Sequence, residues 1–375
     1  MYIAMFNTRF LLLSLGLLIL PFASFSQKPI DVFLAFWEEM DENYAFFNLR
    51  MVDWDQVYTD YRPQIKENMS DTALFEVLTD ILTPFQDGHI NLKSKEPKLK
   101  FSGGREVPFE LAFGTEELLR DYFKVVDATL NTNGFAPLEQ VGPILSEKTA
   151  LYDHTVYEYT QSSSYGYIKI SWFFHDYNNV QKIAGVGKDK KAFIEDFDEI
   201  FNQLKNKEGL ILDLRNNIGG VDGYPEELVA YFSDEKFIGE YTATRKKDHR
   251  EAFTDPKPTW VKPAKGYIFK KPVIVLVNGM TVSAAEEFVQ MMAGLKQVTI
   301  VGTPTQGALS DIYETKLPND WTFTFSNMRF YDAEMQCWEG SGIPVDVEAK
   351  NTAEDLKTRK DPVLQTGIDL LKAGW

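Results

Sequence analysis

The main hydrophobic run of the chain is a short aliphatic, β-branched segment, Val273–Val277, which has the pattern of a strand buried on both faces. Asn278 and Gly279 end this run, and apolar residues then return at helical spacing over residues 283–292. The pattern therefore predicts a strand, a turn and a helix, with Ser283 in the first turn of the helix. A serine at such a junction lies at the edge of a sheet, near backbone N–H groups that the helix leaves unpaired.

The rest of the pattern divides the chain into a helical start and a mixed core. Apolar residues recur every three or four positions between residues 30 and 82, and Ser70 and Asp71 mark a helix start within that region. Strand-like runs then alternate with amphipathic segments, which is typical of an α/β domain. Runs at 109–113 and 122–126 are predicted as strands. The predicted organisation is a signal peptide (1–26), a helical N-terminal domain (27–95), a small β-containing segment of unassigned fold (96–160), an α/β core (161–350) and a C-terminal helix (351–375).

The first 26 residues have the features of a secretory signal peptide. Arg9 supplies a positive charge, residues 10–22 form an apolar core, and residues 24–26 offer a cleavage site. The apolar core is short for a membrane span. We therefore expect an exported protein that is periplasmic or secreted.

Composition restricts the possible partners and cross-links. The net charge of −16 argues against nucleic acid or an anionic membrane as a partner. Cys337 is the only cysteine, so no internal disulfide can form and stability must come from packing. The hydrophobic content of 44% is sufficient for a large core. Composition gives no indication of the oligomeric state.

Among the known chemical motifs, serine chemistry is the best supported. The sequence lacks His-Glu-x-x-His, paired Cys-x-x-Cys, phosphate-binding and dinucleotide-binding glycine motifs, and a Gly-x-Ser-x-Gly elbow. The four histidines have no helical pairing, so neither a metal nor an organic cofactor is expected. Ser283 could act as a nucleophile, or it could simply cap its helix together with Glu286.

Four motifs in a fixed order carry a family resemblance. They begin at Asp213 (Asp-Leu-Arg-Asn-Asn-Ile-Gly-Gly), Asn278 (Asn-Gly-Met-Thr-Val-Ser-Ala-Ala-Glu), Gly302 (Gly-Thr-Pro-Thr-Gln-Gly) and Gly342 (Gly-Ile-Pro-Val-Asp). Over residues 160–350 this set resembles the C-terminal processing (tail-specific) and tricorn-core serine peptidases. The resemblance implies a crotonase-like α/β core behind a helical N-terminal domain. It also implies endopeptidase activity on peptides or unfolded protein tails, with Ser283 as the nucleophile.

The same resemblance suggests which base activates the serine. The processing branch has a lysine in a Thr-Phe-Gly-Lys-Gly motif, but Ala308 occupies that position here. The tricorn-like branch uses a histidine in Asp-x-His and a later glutamate, which His89 and Glu339 match. Gly88 replaces the serine that links these two groups in tricorn, so Asp87 is an alternative orienting acid. His175 is a rival base because it follows a predicted core strand.

By the same resemblance, backbone N–H groups would stabilise the oxyanion. The candidate donors are Ala284 and a glycine of the pair Gly219 and Gly220, with Gly219 slightly preferred. A second function remains open, because the family includes retinoid-binding members without evident proteolysis. With 28 phenylalanines, the chain could instead be a non-catalytic binding protein for apolar ligands or peptides.

Overall fold

The computed structural model describes residues 27–104, 124–145 and 155–374. The predicted signal peptide and the strand predicted for 109–113 lie outside the described residues. The helices are α1 (Pro29–Asn43), α2 (Trp54–Tyr61), α3 (Asp71–Leu82), α4 (Lys124–Thr132), α5 (Tyr177–Val180), α6 (Ile183–Leu204), α7 (Pro225–Val229), α8 (Ala284–Ala293), α9 (Ala353–Lys357) and α10 (Pro362–Ala373). The strands are β1 (Asn91–Lys93), β2 (Lys100–Ser102), β3 (Glu139–Ile144), β4 (Thr155–Gln161), β5 (Tyr165–Ile170), β6 (Gly209–Asp213), β7 (Phe237–Thr244), β8 (Lys257–Val261), β9 (Val273–Val277), β10 (Val298–Gly302), β11 (Ile312–Lys316), β12 (Thr322–Ser326), β13 (Met328–Tyr331) and β14 (Val347–Glu348).

Among the described residues, the central sheet has seven strands in the order β14-β10-β9-β6-β5-β4-β3. Strands β5, β6, β9 and β10 run parallel, and every residue of β6 and β9 is buried. This explains the continuous apolar runs seen in the sequence, since helices cover both faces of such a sheet. The carboxyl ends of these strands meet at one edge, where ligands bind in open α/β sheets. The loops after β6, β9 and β10 therefore converge.

The helical start predicted from the sequence is confirmed as three helices. Ser70 caps α3, because its hydroxyl accepts a hydrogen bond from the Ala73 amide at 3.2 Å. The aromatic residues of this region pack together: Trp54 contacts Phe36 and Phe85, and Phe36 also contacts Phe323 of β12. These aromatic residues therefore form the core of the helical region. It is continuous with a strand from the far end of the chain.

A smaller four-stranded sheet joins the two ends of the sequence. Its order is β11-β12-β1-β2, and β1 pairs antiparallel with β12 so that Asn91 lies opposite Thr324. The turn at residues 87–90 directly precedes β1. This pairing holds His89 against β12, although more than two hundred residues separate them in the sequence.

One predicted strand is wrong in its described part. Residues 122–126 read as extended, but α4 begins at Lys124 and continues to Thr132. Val125, Val126 and Leu130 are buried at helical spacing, so packing of the helix face decides the structure over β propensity. Strands β3 and β4, from the segment without an assigned fold, extend the central sheet. Within the described ranges, no helix is long and apolar enough to cross a membrane.

Candidate active site

Ser283 stands at the junction between the loop after β9 and helix α8. Its backbone has φ +57° and ψ −129°, an unusual conformation for a residue with a side chain and one found mostly where function requires it. The side chain is half-buried and therefore reachable from solvent. The Ser283 amide donates to the Ala308 carbonyl at 3.1 Å, which fixes the junction against the loop after β10.

Gly219 packs directly against the serine. A Cβ added at Gly219 would lie 2.8 Å from Ser283 Cβ and 2.8 Å from the Val282 carbonyl oxygen, and φ at Gly219 is +101°. Only glycine fits this conformation without strain. The Gly219–Gly220 turn and the serine are therefore immediate neighbours, as a nucleophile and its oxyanion donors must be.

Hydrogen bonds between the loops after β6 and β9 hold this arrangement. Asn278 Nδ2 donates to Asn216 Oδ1 at 2.7 Å, and the Asn216 amide donates to Asn278 Oδ1 at 3.2 Å. The Thr281 hydroxyl donates to the Leu214 carbonyl at 2.9 Å. Arg215 is fully buried and bridges Asp213 to Asp361. Arg215 and Asn216 therefore brace the loop after β6.

Two backbone amides remain available for an oxyanion. The Gly219 N–H already donates to Asn217 Oδ1 at 2.9 Å, which removes the reason to prefer it. Within the described part of the chain, the N–H groups of Gly220 and Ala284 have no acceptor. Helix N-termini leave such donors unpaired, and they are suited to binding a developing negative charge. Gly220 and Ala284 are therefore the better-placed pair.

The predicted capping partner Glu286 anchors the loop after β10. Its carboxylate accepts hydrogen bonds from the Thr305 hydroxyl (2.6 Å) and from the amides of Gly307 (2.6 Å), Ala308 (2.8 Å) and Ser283 (3.2 Å). Burial raises the pKa of Glu286, and these donors act in the opposite direction. Glu286 thus fixes the loop in which Ala308 takes the place of the processing-branch lysine.

His89 is held by a hydroxyl and a carboxylate. Its side chain is buried, and Nδ1 lies 3.3 Å from the Ser326 hydroxyl oxygen. That hydroxyl donates to Asp87 Oδ1 at 3.1 Å, and the Tyr44 hydroxyl donates to Asp87 Oδ2 at 3.0 Å. Since the Ser326 proton goes to Asp87, the oxygen accepts from Nδ1–H, and this assigns the tautomer. The free lone pair of His89 is then on Nε2.

The surroundings of His89 favour its neutral form. Burial lowers its pKa and is the largest influence, Asp87 and Asp311 raise it, and Arg50 lowers it. The net effect places the pKa of His89 below the ordinary value. A neutral imidazole is the form that can accept a proton.

Glu339 has partners other than His89. Oε1 pairs with Arg50 at 3.0 Å, and Oε2 accepts from the amides of Leu309 (2.9 Å) and Ser310 (3.3 Å). Burial, followed by the charge of Asp87, raises the pKa of Glu339, while Arg50 opposes the rise. Among the described residues, Asp87 is therefore the carboxylate linked to the histidine, as the alternative prediction has it.

Ser283 and the chain that follows Ser326 both contact the segment after Gly307. Ala308 receives the Ser283 amide, and the Ser310 hydroxyl accepts from the Met328 amide, two residues beyond Ser326. In the described structure, no hydrogen bond joins the Ser283 hydroxyl to His89. Catalytic hydrogen bonds are often long without substrate and shorten when the site is occupied.

Comparisons with known proteins identify the family of the chain. The model of peptidase family S41 matches residues 164–349, and that of the tricorn protease C1 domain matches residues 26–83. The chain is 30% identical to a protein from Parabacteroides merdae ATCC 43184 described as a candidate peptidase, covering 92% of this chain and 96% of that one, with a TM-score of 0.73.

The chain belongs to peptidase family S41. It is a serine-type peptidase, and its substrates are peptides or proteins. The structure of mature CPAF has the same fold, with 13% identity over 92% of this chain and 97% of that chain, and a TM-score of 0.61. The photosystem II D1 C-terminal processing protease shares it at 15% identity over 86% of this chain and 93% of that one, with a TM-score of 0.50.

In this S41 peptidase, the second candidate histidine has a different environment. His175 Nδ1 pairs with Asp196 of α6 at 2.7 Å, and the His175 amide donates to Asp189. The hydrogen bond with Asp196 raises the pKa of His175, with burial opposing it. His175 is close to the glycine turn, since Phe173 forms a β-bridge with Gly220.

Sequence reasoning missed the residues that link the site across the chain. Ser326, Tyr44 and Arg50 surround Asp87 and Glu339, yet none belongs to the four motifs. Their roles depend on the pairing of β1 with β12 and on the packing of the helical region. The spacing of residues along the sequence indicates neither the strand pairing nor this packing.

Proposed function

We propose that this protein is an exported serine endopeptidase in which Ser283 is the nucleophile and His89 the base. The observation that carries the proposal is the placement of Ser283: a half-buried serine in a strained junction, flanked by the unpaired amides of Gly220 and Ala284. Such a hydroxyl and two preorganised donors are what acyl transfer requires.

The proposed chemistry is acyl transfer through a covalent acyl-enzyme. Ser283 Oγ attacks the substrate carbonyl carbon while its proton passes to His89 Nε2, and the carbonyl oxygen becomes an oxyanion bound by the amides of Gly220 and Ala284. When the C–N bond breaks, His89 returns the proton to the leaving amine. Water then attacks the acyl-enzyme with His89 again as the base, and the carboxylic acid product leaves Ser283 restored.

The preference for His89 over His175 rests on protonation. The pKa of His89 is lowered, so its imidazole is mostly neutral near pH 7, whereas Asp196 raises the pKa of His175. In our proposal Asp87 orients His89 through the Ser326 hydroxyl and stabilises the imidazolium. Glu339 supports the neighbouring segment through the amides of Leu309 and Ser310.

An active-site label tests the proposal. A fluorophosphonate should react covalently with the purified protein, and Ser283→Ala should not react and should lose peptide hydrolysis by up to about 10⁶-fold. Ser341→Ala is the matched control, because Ser341 is an exposed serine outside the proposed machinery. Absence of labelling in folded wild type would contradict the proposal and favour a carrier of apolar ligands.

Export belongs to the same proposal. Residues 1–26 have the composition of a signal peptide, so the mature enzyme would begin near Gln27 and act in the periplasm or outside the cell. Cell fractionation together with N-terminal sequencing of the purified protein would test this. An uncleaved, cytoplasmic protein would contradict it.

A further inference from the structure

Five carboxyl groups gather beside the proposed oxyanion site, and the mechanism uses none of them. Asp222 follows Gly220 by two residues, and Glu287 lies one turn after Ser283, with its amide donating to the Ser283 carbonyl at 3.1 Å. Asp311 follows the segment that receives the Ser283 amide. Glu226 of α7 and Glu240 of β7 complete the set, which we call the acidic cluster.

The cluster runs from the surface into the interior. Asp222 is exposed, Asp311 and Glu226 are half-buried, and Glu240 and Glu287 are only 3% and 2% exposed. Asp311 lies close enough to Asp222 to raise its pKa, so the chain after the glycine turn and the chain after Ser310 approach each other there. The cluster therefore has an open end beside the reacting atoms and a closed end beneath helix α8.

The carboxyl groups influence each other strongly. Desolvation of its carboxyl group and the nearby Asp311 raise the pKa of Asp222 to about 7, and burial together with Glu226 raises that of Glu240 to about 8. Burial and the charge of Glu240 raise the pKa of Glu287 well above its ordinary value. These raised values mean that the groups take up protons instead of carrying adjacent negative charges, and a bound cation would relieve the same repulsion.

The cluster also contains polar atoms that lack a partner. Gln290 is 4% exposed, and its Nε2 donates to Glu240 at 2.7 Å, but its Oε1 has no hydrogen-bond partner. Glu226 Oε2 is buried without one as well. Buried acceptors are normally satisfied, so these two atoms indicate a missing donor. A lysine ammonium or an arginine guanidinium carries several N–H donors and would satisfy both the amide oxygen and the carboxyl groups.

The described part of the chain supplies no such group. No lysine or arginine there forms an ion pair with a member of the cluster. Lys190, the nearest candidate, donates to the Gly223 carbonyl and pairs with Glu227 instead. A resident metal is not indicated either, because no three of these groups within the described residues are arranged to hold one.

We propose that the acidic cluster is the specificity subsite for a lysine or arginine side chain of the substrate, at the residue whose carbonyl Ser283 attacks. This inference rests on the proposed function. When that carbonyl oxygen lies between the amides of Gly220 and Ala284, the side chain of the same substrate residue branches from the Cα atom bonded to the carbonyl carbon. Asp222 and Glu287 follow the two donors closely in sequence, so the side chain of that substrate residue would meet the open end of the cluster first.

Matched peptides test the proposal. Two fluorogenic substrates should differ only in arginine or citrulline before the scissile bond, since citrulline keeps the shape of arginine and lacks the charge. For wild type, we expect kcat/KM to favour arginine by on the order of 10- to 100-fold. Glu287→Gln and Asp222→Asn should each reduce this ratio several-fold or more. Glu195→Gln, an exposed acid of α6, should leave the ratio unchanged.

The outcomes separate this inference from the proposed function. Equal kcat/KM for arginine and citrulline peptides, in enzyme that still reacts with a fluorophosphonate at Ser283, would overturn the subsite but not the peptidase. A ratio that persists in both variants, with labelling rates like wild type, would also overturn it. Failure of Ser283 to label at all would contradict the proposed function itself. Labelling also reports whether each variant is folded.

Discussion

At the scale of single residues, the Ser326 hydroxyl connects His89 to Asp87. Ser326 approaches both groups and is itself fully buried, so its geometry is fixed by packing. The tautomer that leaves Nε2 free requires Nδ1–H to have an acceptor. The Ser326 oxygen is that acceptor, which makes Ser326 a positioning residue.

Removing this hydroxyl should affect turnover more than binding. We expect Ser326→Ala to lower kcat by on the order of 10- to 100-fold with little change in KM, because the imidazole loses its orientation. Ser326→Thr keeps the hydroxyl and should recover most of the activity. Steady-state kinetics on one peptide measure both. Equal losses in the alanine and threonine variants would indicate that Ser326 serves packing alone.

The pH dependence should identify the orienting acid. In wild type, the acid limb of the kcat/KM profile should have its midpoint below the ordinary histidine pKa of about 6.5, because burial lowers the pKa of His89. Asp87 raises that pKa by stabilising the imidazolium, so Asp87→Asn should move the limb to lower pH. It should also reduce kcat by on the order of 10³-fold.

Glu339→Gln is the comparison for this experiment. Glu339 makes its hydrogen bonds to Arg50 and to the amides of Leu309 and Ser310, so neutralising it should shift the acid limb less than Asp87→Asn does. The opposite ranking of the two shifts would assign the orienting role to Glu339.

At the scale of elements, the junction between β9 and α8 decides whether the site forms. Gly219→Ala would place a methyl group 2.8 Å from Ser283 Cβ and impose a side chain at φ +101°. We expect a loss of about 2–4 kcal/mol in the free energy of unfolding, from left-handed strain and overpacking together, and a near-complete loss of activity. Chemical denaturation and peptide hydrolysis measure the two effects.

Gly134→Ala is the control for backbone strain. Gly134 has φ +79°, but an added Cβ would meet nothing within 4 Å. This variant should lose only about 1–2 kcal/mol and keep its activity. If Gly219→Ala were as mild as Gly134→Ala, the close contact with Ser283 would not exist in solution.

The local structure around Ser283 could be predicted from the sequence, because it depends on adjacent residues. The buried run before Ser283, the turn at Asn278 and the helix after it follow from local spacing, and the structure has them where the pattern places them. Sequence reasoning slightly preferred Gly219 over Gly220 and missed that Asn217 Oδ1 occupies the Gly219 amide, which no local pattern reveals. It also assigned a strand to residues that form α4, because burial of one helix face outweighed β propensity.

At the scale of the whole molecule, the site is assembled from distant parts of the sequence. His89 reaches the core because β1 pairs with β12, and Glu339 is fixed by Arg50 of the helical region. No local pattern could reveal such pairings, since they depend on which strand edges and buried charges the complete fold brings together. The family resemblance indicated His89 and Glu339 but not the groups with which they form hydrogen bonds.

A buried ion network links the site to the C-terminal helix. Arg215 is fully buried and pairs with Asp213 and with Asp361, the residue that caps α10. Arg215→Met should lower the free energy of unfolding by about 3–5 kcal/mol, because two buried carboxylates lose their cation. Lys350→Met, at an exposed position, should change it by less than about 0.5 kcal/mol.

The pH dependence of that loss has a definite sign. Burial acts to raise the pKa of Asp361, but Arg215 outweighs it and the pKa is lowered in the folded protein. The stabilisation is therefore present above the unfolded pKa of about 3.9 and disappears as pH falls through the lower folded value. The difference between wild type and Arg215→Met should shrink in acid. A difference independent of pH would contradict the ion-pair account.

The central claim is that His89 activates Ser283. Its most direct measurement is the rate of fluorophosphonate labelling at Ser283 as a function of pH, in wild type, His89→Ala and His175→Ala. We predict that His89→Ala slows labelling by on the order of 10³-fold or more. His175→Ala should keep most of the wild-type rate and its acid limb. Fast labelling in His89→Ala together with a slow, pH-shifted reaction in His175→Ala would contradict the account.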